Sequence, residues 1–450
     1  MTVALIILAA GKGTRMQSDL PKVLHKIAGA PLLVHAMKAG ASLEPEKTVI
    51  VAGHGADQVE AAAQDWSDDI DVVLQREQLG TAHAVLQARE ALADFEGDAI
   101  VLYGDTPFIQ PETLDAMLTA RAEHDVVVLG FEPADAGRYG RLVMDGDVLN
   151  TIVEFKDASD AERAITLCNS GVISAKADVL FDLIDSVSNE NASGEYYLTD
   201  IIGIARSKGL SATVVRCDEA ETMGINSRPD LAVAEVAFQT RARADALENG
   251  VTMHAPDTVY FSHDTYIGSD TVIEPNVVFA VGVTVENNAT IRAFSHLEGC
   301  HVSRESVVGP YARLRPGAEL SEGVKIGNFV EIKNASIDAG AKVNHLSYIG
   351  DAQIGEKSNV GAGTITCNYD GVFKHRTTIG KNVFVGSNTM LVAPVTLGDD
   401  SMTATGTIVT KNVPEGDLAV GRARQESKPG FARRMFEKLK SKKANAAKES

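Results

Sequence analysis

The chain is 450 residues long, more than one ordinary domain holds, so two or three domains are expected. Apolar (44 %) and charged (23 %) residues are in globular proportion, while 39 glycines and only 5 % aromatics call for many tight turns. A formal net charge of −19 excludes a general nucleic-acid binder, which needs a basic surface, but leaves phosphorylated substrates open because a pocket can be locally basic.

The apolar run 4–10 is too short to span a bilayer and has no basic segment before it. Residues 3–8, 48–51, 72–74 and 99–102 are short β-rich apolar runs, separated by Ala/Leu/Glu-rich stretches such as 82–92. That alternation predicts an α/β domain with a mostly parallel sheet over residues 1–227. Pro229 near the start and Gly250 just past the end predict a linking helix over 228–249. Beyond Pro256 aliphatic residues recur every six positions: Ile267, Ile273, Phe279, Val285, Ile291 and Leu297, then Val302, Val308, Leu314, Leu320, Ile326 and Ile332. Later runs are Ile337, Val343 and Ile349, then Ile354 and Val360, then Ile379, Val385, Leu391 and Leu397. A period of six fits neither a helix nor an amphipathic strand; it fits a solenoid whose coil sides each turn one aliphatic residue inward. The solenoid is expected over 250–425, with an irregular insertion at 362–378 and a basic tail at 426–450. Cys168, Cys217, Cys300 and Cys367 have neither disulfide nor zinc spacing, which favours a reducing compartment and predicts a cytoplasmic protein.

Chemistry-bearing residues cluster in both halves. After the first strand, Leu8-Ala9-Ala10-Gly11-Lys12-Gly13-Thr14-Arg15-Met16 and then Pro21-Lys22 form a Gly-rich turn with cations, suited to phosphate. Met16 replaces the third glycine of a dinucleotide fingerprint, and the Lys-Ser/Thr ending of a Walker A loop is missing. Tyr103-Gly104-Asp105 ends a buried strand with a carboxylate, where ligands of open α/β sheets bind. This half resembles the sugar-nucleotide pyrophosphorylases. The resemblance implies that Leu8, Gly11, Gly13, Arg15, Lys22, Gln75, Gly80, Thr81, Tyr103 and Gly104 meet UTP. It further implies that Gly140, Glu154, Asn169 and Asn226 meet the UDP-sugar, and that Asp105 and Asn226 ligate Mg²⁺. The implied reaction is attack of a sugar-1-phosphate oxygen on the α-phosphorus of UTP, with pyrophosphate leaving and no general base needed.

In the solenoid, the strings 310–317, 327–333, 344–351 and 361–371 supply Arg, Lys, His and Tyr where a scaffold coil needs none. With the N-terminal motifs, they resemble the bifunctional family that couples glucosamine-1-phosphate acetylation to N-acetylglucosamine-1-phosphate uridylylation. This resemblance spans nearly the whole chain and implies a left-handed parallel β-helix, against the usual right-handed crossover. It implies His345 as general base, which Glu331 could orient or stabilise in its protonated form. Glucosamine-1-phosphate would be bound by Arg315, Lys333, Tyr348 and Asn359. Acetyl-CoA would meet Ala362, Asn368, Tyr369, Ser387, Thr405 and Arg422, with Thr405 standing where the family often has Ala. The product would be UDP-N-acetylglucosamine, a precursor of peptidoglycan and lipopolysaccharide. The partners implied are these small molecules and two further copies in a homotrimer, with no nucleic acid and no stable membrane association. The competing readings are a single-activity pyrophosphorylase whose solenoid is structural or regulatory, and a non-catalytic scaffold.

Overall fold

The computed structural model describes residues 2–449. The chain divides into two compact units, Met1–Ala246 with Tyr260–Thr265, and Leu247–Val259 with Tyr266–Ser450.

Among the described residues of the first unit, nine strands form one sheet: β1 (Val3–Ala9), β2 (Lys47–Ala52), β3 (Ile70–Leu74), β4 (Asp98–Tyr103), β5 (Val126–Phe131), β6 (Arg141–Asp145), β7 (Val148–Val153), β8 (Cys168–Lys176) and β9 (Ala212–Cys217). The main path runs β9-β5-β8-β4-β1-β2-β3, with β6 and β7 attached beside β8. Strand β1 is parallel to both β2 and β4 and is buried throughout. Its residues alternate between two cores, with Ala4, Ile6 and Leu8 on one side and Val3, Leu5, Ile7 and Ala9 on the other. Such two-sided burial explains why the strand reads as a continuous apolar run. The sheet departs from the mostly parallel expectation at β8, which is antiparallel to β4 and β5 and carries a register shift between Asn169 and Ile173. The expected helix over 82–92 is also shorter: Thr81–Leu86 is helical and turns follow.

A helix spans Arg228–Glu248. Within the first unit its buried Gln239 donates from Nε2 to the Phe261 carbonyl (2.7 Å) and accepts from the Phe261 N–H (2.9 Å). An amide side chain thus satisfies both backbone groups of one residue, as burial demands.

The second unit is a parallel β-helix. Ile273 pairs with Ile291, Ile291 with Val308, Val308 with Ile326 and Ile326 with Val343, a step of 17 or 18 residues per coil. That is three sides of about six residues, as the sequence period requires. Of the residues in the six-step series, all but Ile267 are buried. The insertion is narrower than 362–378. Ile365–Cys367 and Thr377–Ile379 are both regular strands, so the extra chain lies between them. It lengthens one step to 25 residues, pairing Val360 with Val385 and Ile354 with Ile379. The basic tail contains a helix over Phe431–Glu449.

Candidate active sites

The N-terminal site lies where the carboxyl ends of β1 and β4 meet, at the point where strand order reverses. A cavity of about 370 Å³ is lined there by Leu8, Gly11, Lys22, Gln75, Gln78, Gly80, Thr81, Tyr103, Asp105 and Glu195, among others. Gly13 has φ +59°, and a Cβ on it would come within 2.6 Å of the Lys22 Cβ, so the turn accepts only glycine. That close passage carries Lys22 across the strand ends. Its ammonium ion-pairs with Asp105 and donates to the Asn226 Oδ1 at 3.2 Å. The Ile225 N–H bonds the Asp105 carbonyl (3.0 Å), and the Asn226 N–H is capped by Asp230 (3.0 Å). Two oxygen donors from distant segments therefore face one cation. An oxygen pair of this kind suits Mg²⁺, which is held by few protein ligands plus phosphate and water. Among the described residues, no group of three or more His, Cys, Asp or Glu gathers to offer a fuller metal cage.

Gln75, Gln78, Gly80, Thr81 and Tyr103 line the same cavity, whereas Gly104, Gly140, Glu154, Asn169 and Asn226 are not among its lining residues. Buried Gln75 donates to the Gly80 carbonyl (3.2 Å), and Gln78 donates to the Ala10 carbonyl (2.6 Å). Gly80 has φ +120° against the Tyr196 backbone. Thr81 Oγ1 accepts from the Leu198 N–H (2.9 Å). Gly104 packs beneath Val23 and the Leu8 carbonyl. Burial, with the Asp105 and Glu154 charges, pushes the Tyr103 hydroxyl well above the usual tyrosine range. Gly140 packs beside Glu154 and Asn169, and its carbonyl accepts from the Asn169 N–H (2.9 Å). Burial raises the Glu154 pKa, partly offset by the Thr199 hydroxyl (3.1 Å). Arg15 and Gly13 do not line the cavity; Arg15 is exposed on the turn after Gly13.

In the β-helix several of the positions implied by the resemblance align coil over coil. Asn328 pairs with His345; the Gly363 N–H bonds the His345 carbonyl (3.2 Å), the Asn388 N–H the Ala362 carbonyl (2.7 Å), and the Gly406 N–H the Ser387 carbonyl (2.8 Å). The Arg422 guanidinium closes the series on the Thr405 carbonyl. His345, Ala362, Ser387, Thr405 and Arg422 thus run along one corner. Asn328 Oδ1 lies 2.8 Å from His345 Nδ1. An amide oxygen accepts only, so neutral His345 carries its proton on Nδ1 and leaves Nε2 free as a base.

This corrects the expectation for Glu331. Its carboxylate pairs with Arg315 (2.8 Å) and Arg313 (3.9 Å), and Asn328 is what orients His345. Lys333 stacks over Gly350 in the next coil. Lys374, from the insertion, lies against the Lys333 ammonium and, with Arg315, lowers the Lys333 pKa. Like charges in contact repel, and an anion between them relieves the repulsion. Lys374 was missed because an irregular loop has no period to place it. Asp351 accepts from Asn334 (2.6 Å) and Asn368 (2.5 Å). Burial raises its pKa, but these amides together with Lys374 and Lys333 outweigh that and keep it low. The Tyr348 hydroxyl lies over Gly350, beside the Asn368 amide. Asn359 sits one coil above Lys342. Tyr369 bridges to Lys374 across the insertion, whose Asp370 is held at a pKa of about 2 by His375 and the Phe373 and Val372 N–H groups. All four cysteines are free, and burial raises Cys367, which speaks against a thiolate nucleophile.

Residues 5–168 match the MobA-like NTP transferase domain family, and residues 376–411 the hexapeptide repeat of succinyl-transferase. The bifunctional protein GlmU of Ruegeria pomeroyi is 70 % identical to this chain over 450 residues, covering 100 % of both. That of Ruegeria sp. (strain TM1040) is 66 % identical over 448 residues, again covering 100 % of both. That of Dinoroseobacter shibae is 65 % identical over 445 residues, covering 99 % of each.

The hydrogen bond from His345 to Asn328 makes a spectroscopic prediction. Nitrogen-15 spectra of the neutral protein should show His345 as the Nδ1–H tautomer, and Asn328→Leu should turn it into the mixture typical of free imidazole. An Nε2–H tautomer in the parent would contradict the assignment.

Proposed function

The chain belongs to the bifunctional GlmU family, and from that membership we propose a division of labour between its two units. It is a bifunctional transferase of UDP-N-acetylglucosamine biosynthesis, combining nucleotidyl and acyl transfer, and no observation favours the single-activity alternative. In our reading the β-helix acetylates glucosamine-1-phosphate with acetyl-CoA, and the α/β unit then uridylylates the product from UTP.

The convergence of Lys22, Asp105 and Asn226 carries the N-terminal assignment. Both reactants are anions, so the barrier is largely charge repulsion. Mg²⁺, held by Asp105 and Asn226, would neutralise phosphate charge on both. Lys22 and Arg15 add positive charge against the triphosphate, and the open Gly11 turn gives its backbone N–H groups close approach. Gln75, Gly80 and Thr81 would read the base, while Gly140, Glu154 and Asn169 hold the sugar. The attacking phosphate is already ionised and needs no base.

The free Nε2 of His345 carries the C-terminal assignment. The sugar amine attacks the thioester carbon, His345 takes the proton the nitrogen loses, and the carbon–sulfur bond breaks to release CoA. Arg315 and Lys333, joined by Lys374, bind the phosphate, and Tyr348 and Asn359 the sugar. The corner from Ala362 through Ser387 and Thr405 to Arg422 gives acetyl-CoA an extended track, with Asn368 and Tyr369 beside the reacting groups. We place the protein in the cytoplasm, on its free cysteines and its substrates. Its acidic charge argues against nucleic-acid partners.

The two sites lie in different units, so their activities should separate. Asp105→Ala should abolish UDP-sugar formation and leave acetyl transfer within about twofold of the parent. Parallel loss of both activities in a correctly folded variant would contradict the division. Tyr369, Val372 and Phe373 at the tip of the insertion are 61–74 % exposed. Apolar groups so presented favour a neighbouring subunit, and we propose a homotrimer in which copies complete one another's acetyl-transfer sites. Sedimentation equilibrium should report a trimer; a fully active monomer at micromolar concentration would rule it out.

A further inference from the structure

Residues 428–450 hold eight of the chain's 42 Lys and Arg but only two of its 61 Asp and Glu. A segment of net charge +6 therefore follows a body of −25. Most of that segment is the helix Phe431–Glu449, and every residue of it whose exposure is described is exposed. Its large apolar side chains share this exposure: Phe431 (53 %), Met435 (41 %), Phe436 (56 %) and Leu439 (52 %). At about 100° per residue these four, with Ala432, fall on one face, while Arg433, Arg434, Lys438 and Lys440 ring the rest. Lys442 and Lys443 continue the apolar stripe by one turn with long stems that can lie along it and lift their charges out. A helix of this length with no buried side gains little stability by itself. It is completed by a surface that covers the stripe and neutralises the cations.

We propose that Phe431–Glu449 is an interfacial helix that lies reversibly on an anionic lipid bilayer. Phe431, Met435, Phe436 and Leu439 enter the acyl boundary, and the Lys and Arg side chains meet headgroup phosphates. Charge complementarity selects anionic over zwitterionic lipid. The acidic body is itself repelled by such a surface, but beyond a Debye length of about 8–10 Å that repulsion is screened, so attachment rests on the helix and is released by salt. Nucleic acid would satisfy the same cations, but a continuous Phe, Met, Phe and Leu stripe is suited to a hydrocarbon boundary.

Full-length protein should co-sediment with vesicles of phosphatidylcholine containing one third phosphatidylglycerol at least about tenfold better than with phosphatidylcholine alone, and high salt should abolish the difference. Phe436→Ser combined with Leu439→Ser should weaken the partition by about tenfold or more. Lys440→Glu combined with Lys443→Glu should remove the preference for phosphatidylglycerol. Both double variants should keep the parental thermal midpoint, because the altered side chains are exposed. Equal sedimentation with the two vesicle types, or parental binding by the Phe436/Leu439 variant, would overturn the proposal. So would tighter binding to single-stranded RNA than to vesicles that the Phe436/Leu439 changes leave intact.

Discussion

The inward aliphatic residue at every sixth position is the constraint on which the C-terminal site depends. Each such side chain, from Ile273 to Leu397, is removed from water, and a slip of one residue would expose the whole set. The register of the coils is therefore fixed by the core, and the outward residues inherit it. A step of 17 or 18 residues brings Asn328 beside His345, and Lys333 beside Gly350, without any contact chosen for that purpose. Chemistry is then written onto a ladder whose spacing hydrophobic burial has already set. The longest step among the described residues, from Val360 to Val385, adds a loop without disturbing that ladder, because pairing resumes in register on both sides.

The two sites treat lysine in opposite ways. In the α/β unit Lys22 is pinned by a carboxylate and an amide oxygen, so the strand ends are already organised around positive charge. In the β-helix Lys333 lies against a second cation, Lys374, with Asp351 close enough to act on both. Both arrangements follow from local backbone geometry: the left-handed Gly13 that lets Lys22 cross the strand ends, and the insertion that brings Lys374 back over the coil.

Much of this was legible in the sequence because it is periodic or local. The six-residue spacing foretold the β-helix, and residues of the Gly-rich turn after β1 and the carboxylate after β4 do line one cavity at the strand ends. What the sequence did not reveal depends on stacking between coils or on irregular chain. The family resemblance suggested Glu331 as the partner of His345, yet the neighbouring coil presents Asn328 to the imidazole and Arg315 to Glu331. Lys374 lies in a loop with no period, and the antiparallel direction of β8 is set by long-range pairing with β4 and β5 that no local pattern records. The segment 82–92 has a helix-forming composition but is helical only to Leu86, with turns following, because propensity is a weak guide to where a helix ends.

The central claim is that a base held by the coil register removes the amine proton during acetyl transfer. The pH–rate profile of acetyl transfer by the parent and by His345→Ala tests it most directly. Removing His345 should lower kcat by about 10²–10⁴-fold, leave the KM for glucosamine-1-phosphate nearly unchanged, and abolish the ionisation on the acid limb. A variant that keeps the parental kcat and the same acid limb would contradict it.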